Sequence, residues 1–408
     1  MDKTAFYREA LEGRTGPLEG TRVLDLTTAW AGPMAACVLG DLGCDVIHVD
    51  LPGTAGGTNF PPNLPGTEIS YAHATVNRNK RSITCDLRRP EGVDLLMELV
   101  AVTDIVVQNF KPGTLDGWGI GYEQCRAANP AIIYVSLSGY GQYGPLSPLP
   151  GYDPAALAYG GWMSLNGTIL GPPNKAPTFL ADDLAGLHGA IGALGALHHR
   201  RLTGEGQHVD VALLDALMFQ SCGQLTLGAL AMEQPRRGNE VGTHVPSNNY
   251  QCADGGWVYL GVALDGHWQK LAVAVGDPDL ATAPGFATNT ERVANRSVCN
   301  ALVARWCATR TTDELLALTS EIGVVCAPVR TYRDAAADPH LHERDMLIPT
   351  TQSDGSVFPI TGPAAKFSRT PTTVRSGAPA VGDHTEQVFG EVGVGADRLA
   401  RLRADGIV

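Results

Sequence analysis

The sequence lacks the features that would place it at once. No stretch approaches the ~20 consecutive apolar residues that cross a bilayer, and the opening MDKTAFYREALEG has no apolar signal-peptide core. A soluble, cytoplasmic protein is expected. Basic residues are in deficit, 30 Lys and Arg against 42 Asp and Glu, for a net charge of -12. That balance disfavours nucleic acid and anionic membrane as partners, while leaving room for an anionic small ligand in a local basic pocket. None of the nine cysteines forms a CxxC pair, and their number is odd. Buried free thiols are expected, not a disulfide framework. There is no GxSxG elbow, no HExxH and no P-loop, and the 11 histidines do not cluster at ligand spacing. No metal is expected. No internal repeat or low-complexity tract is present.

What is present is enough apolar residue, 44% of 408, to bury a large core in two or three structural units. The 48 glycines and 27 prolines are spread along the chain, as tight turns require. The first half alternates short apolar strands with helices. Val23-Leu24-Asp25-Leu26 and Asp45-Val46-Ile47-His48-Val49 read as strands, with Ala31-Gly32-Pro33 opening a helix between them. Ile105-Val106-Val107 and Ile132-Ile133-Tyr134-Val135-Ser136 repeat the pattern. Such strands imply a parallel sheet covered on both faces, an α/β doubly wound fold. A long helix is expected from about 184 to 201, and a strand from 208 to 214. From about 225 to 325 the pattern changes to that of a smaller α+β domain. The expected organisation is therefore a large domain over 1–224, a small domain over 225–325, and a return to the large domain over 326–408.

The first unit mimics a dinucleotide site, a strand, turn and helix followed by a strand ending in Asp50. The turn Leu26-Thr27-Thr28-Ala29-Trp30-Ala31-Gly32 has one glycine where GxGxxG needs three, and Trp30 obstructs a pyrophosphate. NAD is not expected. Asp182 and Asp183 precede the long helix, and either could cap it. A helix N-terminus favours an ionised carboxylate. Gly186, Gly189, Gly192 and Gly195 recur along that helix. Each interior glycine costs ~1 kcal/mol relative to alanine, so something must approach closely, another helix before a ligand. Asn79-Lys80-Arg81 is a basic cluster, either a solvated face or a phosphate contact. Asn109-Phe110-Lys111-Pro112-Gly113 and Ser138-Gly139-Tyr140-Gly141-Gln142 each follow a strand end, the edge where open parallel sheets bind ligands.

An ordered set of motifs joins these segments: Leu24-Asp25-Leu26 with Ala31-Gly32-Pro33, Asn79-Lys80-Arg81-Ser82, Pro90-Glu91-Gly92, Asn109-Phe110 with Pro112-Gly113, Ser138-Gly139-Tyr140-Gly141, Asp182 with Gly186, Arg201 to Gln207, and Gly382-Asp383-His384-Thr385. The set resembles the family III CoA-transferases, a group that includes formyl-CoA transferase, carnitine CoA-transferase and alpha-methylacyl-CoA racemase. The resemblance runs from about residue 17 to the C-terminus. It implies a Rossmann-like large domain built from both chain ends, a small domain between them, and an interlocked homodimer. It implies Asp182, four residues before the helix glycine, as a covalent nucleophile that carries CoA from an acyl-CoA to a carboxylic acid through an aspartyl-CoA thioester. It also implies that Ala29, Ala31, Lys80, Arg81, Asn109, Phe110 and Tyr140 line the site of coenzyme A. Three positions where relatives carry basic residues hold Leu51, Gly117 and Ser138 instead. The racemase branch uses His followed by Asp where this chain has Tyr152-Asp153. Tyrosine, with a pKa near ~10, is the poorer base at neutral pH, so transfer is expected before α-proton exchange.

Overall fold

The computed structural model describes residues 2–232 and 234–408. The chain divides into two compact units. One comprises Met1–Trp162, Lys175–Met232 and Pro339–Val408, the other Met163–Asn174 and Glu233–Asp338. Residues 225–232 thus fall with the first unit and 326–338 with the second.

The first unit is built on six strands: β1 (Arg22–Leu26), β2 (Asp45–Asp50), β3 (Lys80–Thr84), β4 (Ile105–Gln108), β5 (Ile133–Ser138) and β6 (His208–Ala212). All pair in parallel, in the order β3-β2-β1-β4-β5-β6. This is the doubly wound order, and its direction reverses between β1 and β4. The strands are apolar on both faces because helices cover both. One face packs Leu24, Leu26, Ile47 and Ile83 against Leu95, Leu96 and Leu99 of the helix Pro90–Val100, and against Val388 and Phe389 near the C-terminus. On the other face, the helices Ala31–Asp41 and Leu180–Thr203 pack on each other and on the sheet. The C-terminal segment is also tied by charge, since Glu391 accepts from Arg22 at 2.8 Å and from Arg81 at 2.6 Å.

The glycines of the long helix make this packing possible. A Cβ on Gly186 would stand 2.9 Å from Met34 Cγ, one on Gly189 3.2 Å from Ala35 Cβ, and one on Gly192 2.6 Å from Val209 Cγ1; Gly195 faces open space. Helix and strand contact, not a ligand, explains three of the four. The helix starts at Leu180, earlier than its composition suggests, and Gly204 closes it at φ +81°. Residues after Ala212 are helical over Leu213–Phe219, so the expected strand to 214 is shorter than read.

The second unit holds an antiparallel sheet of β7 (Ser247–Gln251), β8 (Trp257–Gly261) and β9 (Val325–Pro328). The helices Asp265–Ala274, Arg296–Ala308 and Thr312–Ile322 bury Trp268, Leu271, Val303 and Leu315 against it. Arg292 is fully buried there. Its guanidinium donates to Val245 O at 2.7 Å and Asp265 Oδ1 at 2.8 Å, and lies 5.2 Å from the Trp268 ring centroid. A hairpin of β10 (Leu347–Thr351) and β11 (Val357–Thr361) belongs to the first unit. All nine cysteines are free, and seven are buried; Cys222 is exposed and Cys326 half-buried. Among the described residues, no helix is long and apolar enough to cross a membrane.

Candidate active site

The reversal of strand order between β1 and β4 leaves their carboxyl ends without a shared covering loop, and a cleft opens there. Its volume is about 320 Å³. Thr28 and Ala29 come from the loop after β1 and Ala31 from the start of the helix that follows it, Asn109, Phe110 and Lys111 from the loop after β4, and Ser138 and Gly139 from the end of β5 and the loop after it. Asp182 and Leu213 reach the same cleft from the first turns of their helices.

The walls are locally held. Asn109 grips the backbone of Thr28 from both sides, accepting from its N–H at 2.9 Å and donating to its carbonyl at 2.7 Å. Phe110 packs edge-on to Trp118, with ring centroids 5.3 Å apart. Ala29 adopts φ +64°, the left-handed region that a residue with a Cβ rarely occupies. Its N–H is spent on Gly57 O at 3.0 Å.

Asp182 and Asp183 both lie in the first turn of the long helix, and neither caps it. The N-cap position is Phe179, which offers no acceptor. Asp153, buried at the start of the helix Asp153–Tyr159, does the work from a distance. Its Oδ1 accepts from Ala181 N at 2.7 Å and Asp182 N at 3.4 Å. Asp183 is committed as well, accepting from Trp30 Nε1 at 2.7 Å. Asp182 faces the cleft. Burial, then the nearby carboxylates of Asp153 and Asp183, push its carboxyl up to about 7. The expectation that the helix end would favour the ionised form is therefore reversed, because burial and two neighbouring acids penalise the charge. At neutral pH both protonation states are populated. Such a group can serve as a nucleophile in a site that excludes water, or exchange a proton.

Of the residues expected to line a coenzyme A site, Ala29, Ala31, Asn109 and Phe110 meet in this cleft with Asp182. Lys80 does not line it, against expectation. Its ammonium is fully buried and spends its three donors on Asp25 Oδ2 (2.8 Å), Asn77 Oδ1 (2.9 Å) and Pro33 O (3.0 Å). Arg81 is also elsewhere. It donates to Asp45, the first residue of β2, and to Glu391, at the amino edge of the sheet, away from the loops that form the cleft. Tyr140 stands behind the wall: a Cβ on Gly151 would lie 2.9 Å from its ring, which packs 5.9 Å from that of Tyr159.

Two participants were missed in the sequence. One is Asp153 as the distant cap, signalled only by an acid ahead of Pro154. The other is Asp25, an acid inside an apolar strand, where an unpaired carboxylate is not tolerated.

Residues 18–385 match the sequence profile described as CoA-transferase family III. The chain is similar to a protein of Chloroflexus aurantiacus named succinyl-CoA--D-citramalate CoA-transferase, 35% identical over 96% of this chain and 98% of that one. It is similar to a formyl-CoA:oxalate CoA-transferase of Streptomyces avermitilis, 33% identical over 97% and 100% of the respective chains. Among solved structures, a CaiB/BaiF family protein from Brucella suis has a TM-score of 0.83 at 34% identity, covering 93% of this chain and 100% of that one. The sheet order, the cleft at its reversal point and a profile match over most of the chain agree: the chain belongs to CoA-transferase family III.

Proposed function

We propose that the protein moves CoA from an acyl-CoA thioester to a carboxylic acid, with Asp182 as the covalent relay. The observation that carries this reading is the division of labour between two adjacent acids. Asp183 is held by Trp30, while Asp182 borders the cleft. A carboxylate is a weak nucleophile, but a thioester is an activated acyl donor. Asp182 attacks the acyl carbonyl, forms a mixed anhydride and expels CoA thiolate. The thiolate attacks the aspartyl carbonyl, giving aspartyl-CoA and releasing the donor acid. The acceptor carboxylate attacks that thioester, expelling CoA thiolate and forming a second mixed anhydride, and the thiolate then attacks the acceptor's acyl carbonyl, releasing the Asp182 carboxylate. Both intermediates hydrolyse, so water must be kept from the cleft.

Ala29, Ala31, Asn109 and Phe110 are the proposed walls for the thiol end of CoA. Lys111, exposed on the rim, is the cation placed to meet its phosphates in the absence of charge at Leu51, Gly117 and Ser138. Relatives named for succinyl-CoA make it the first donor to test. Exchange of an α-proton is less well served. Tyr152 is exposed on the rim, and Asp153 is engaged with the helix N-terminus. A homodimer belongs to the proposal, supported by the exposed apolar residues Leu187, Ile191, Leu194 and Leu202 along the long helix.

The test is incubation with succinyl-CoA and a panel of other acyl-CoAs, followed by hydroxylamine trapping and peptide mass spectrometry. The expected product is a hydroxamate at Asp182, with loss of turnover on the order of a thousandfold or more in Asp182→Ala. Modification of another residue, or full turnover in the variant, would remove the mechanism.

A further inference from the structure

Lys80 and Asp25 form a buried ion pair, and three of its hydrogen bonds, two from Thr27 and one to Pro33, reach the two ends of one turn. The turn runs over 27–30 into the helix that begins at Ala31, and it supplies Thr28, Ala29 and Ala31 to the wall. Asp25 Oδ1 accepts from both the N–H and the hydroxyl of Thr27. Asp25 Oδ2 accepts from Lys80 Nζ, and the same ammonium donates to Pro33 O, in the first turn of the following helix. One cation therefore holds both ends of the loop. Between those ends, Asn109 holds Thr28, Gly57 O holds Ala29 and Asp183 holds Trp30. Gly32 lets the loop close on itself, since a Cβ there would stand 2.5 Å from Thr27 Cβ.

The charges of this cluster balance. His48 stands between two carboxylates, Nδ1 2.9 Å from Asp25 Oδ2 and Nε2 3.4 Å from Asp50 Oδ1. Burial alone would lower the imidazole, but the two acids outweigh it and push it up to about 9. Asp25 and Asp50 are held below the usual carboxylate range despite their burial. Two anions thus face two cations, all with almost no exposure. A charge cluster of this kind is weak support for stability, because desolvation offsets the attraction. Its value lies in geometry: the pair is satisfied in one arrangement of the loop. The strain at Ala29 requires such over-determination.

We infer that Asp25, Lys80 and Thr27 are positioning residues for CoA transfer, fixing the left-handed turn at Ala29, and that Lys80 is not a ligand of the CoA phosphates. The inference rests on the reading that the cleft takes an acyl-CoA. It separates Lys80 from the role that its place in a basic cluster suggests.

The experiment compares wild type, Lys80→Met, Thr27→Val and Thr27→Ser. Turnover is measured with the best acyl donor, and affinity by calorimetry with CoA and with pantetheine, which lacks the nucleotide and its phosphates. Displacing a wall by about an ångström is expected to reduce kcat on the order of a hundredfold in Lys80→Met. The ratio of CoA to pantetheine affinity should stay within about twofold of wild type. A selective fall in CoA affinity would make Lys80 a phosphate ligand and overturn the inference. Lys80→Met leaves His48 as the counter-charge in contact with the buried Asp25 and can fail to fold. Thr27→Val leaves the ion pair intact, removes only the hydroxyl arm, and should lower kcat about tenfold, with Thr27→Ser recovering most of it. Full turnover in Thr27→Val would also overturn the inference. If trapping finds no adduct at Asp182, the covalent relay fails, while the CoA-to-pantetheine comparison still reports on Lys80.

Discussion

Replacing Asp182 by asparagine should make the protein more stable at pH 8, although it removes the proposed nucleophile. The carboxyl of Asp182 is raised from the ordinary 3.8 to about 7, first by burial and then by Asp153 and Asp183. In the unfolded chain it titrates as an ordinary aspartate. Between those two values the folded protein holds a proton that the unfolded chain releases, so stability falls as pH rises through this window. Below about 4 both states are protonated, and above about 7 the penalty is complete. Each unit is worth about 1.4 kcal/mol, so the upper limit is about 4 kcal/mol. Asp182 borders an open cleft, and solvent screening reduces the expected penalty to about 1–2 kcal/mol. The neutral, isosteric asparagine escapes it. For a unit of this size that means a rise in Tm of a few degrees. Scanning calorimetry of both proteins from pH 4 to pH 8 makes the comparison. The gap should be near zero at pH 4, widen to about pH 7 and then level. A variant no more stable than wild type at pH 8, or a gap that ignores pH, would show that the carboxylate is not strained by its surroundings.

Other outcomes follow from the same geometry. Asp153→Asn keeps an acceptor for Ala181 N–H but removes the neighbouring charge; the acidic limb of the pH–rate profile should shift to lower pH. Asp153→Ala leaves that N–H unpaired and should cost about 1–3 kcal/mol in denaturant unfolding. Gly186→Ala drives a methyl to within 2.9 Å of Met34 Cγ and 3.0 Å of Ala31 O, and should destabilise by about 1–3 kcal/mol. Gly195→Ala, on the same helix but facing open space, should instead gain up to about 1 kcal/mol. Matching losses in both glycine variants would contradict the packing described for the two helices.

The sheet was legible because its strands are buried on both faces, which spells them as short apolar runs between helical patterns. The start of the long helix was not, because its cap, Asp153, lies 28 residues before the N–H it serves. Local capping signals carry nothing across such a gap. Asp182 and Asp183 were likewise inseparable in the sequence alone. Neighbouring residues on a helix point about 100° apart, and only the position of Trp30 decides which one is tied. The buried setting of Lys80 was hidden for a related reason. A basic cluster at a strand start looks the same whether a side chain turns out to solvent or inward to Asp25. The inward partner was visible, as an acid inside an apolar strand, but nothing in the linear order joins residues 25 and 80.

The ion pair between Arg81 and Glu391 has a consequence for how the protein is made. Its partners lie 310 residues apart. At translation rates of about 5–20 residues per second, roughly 15 to 60 s separate the appearance of one from the other. Through that interval the face of the sheet that receives Val388 and Phe389 has no cover from its own C-terminus. The nascent chain must carry an incomplete apolar surface until its last residues are synthesised.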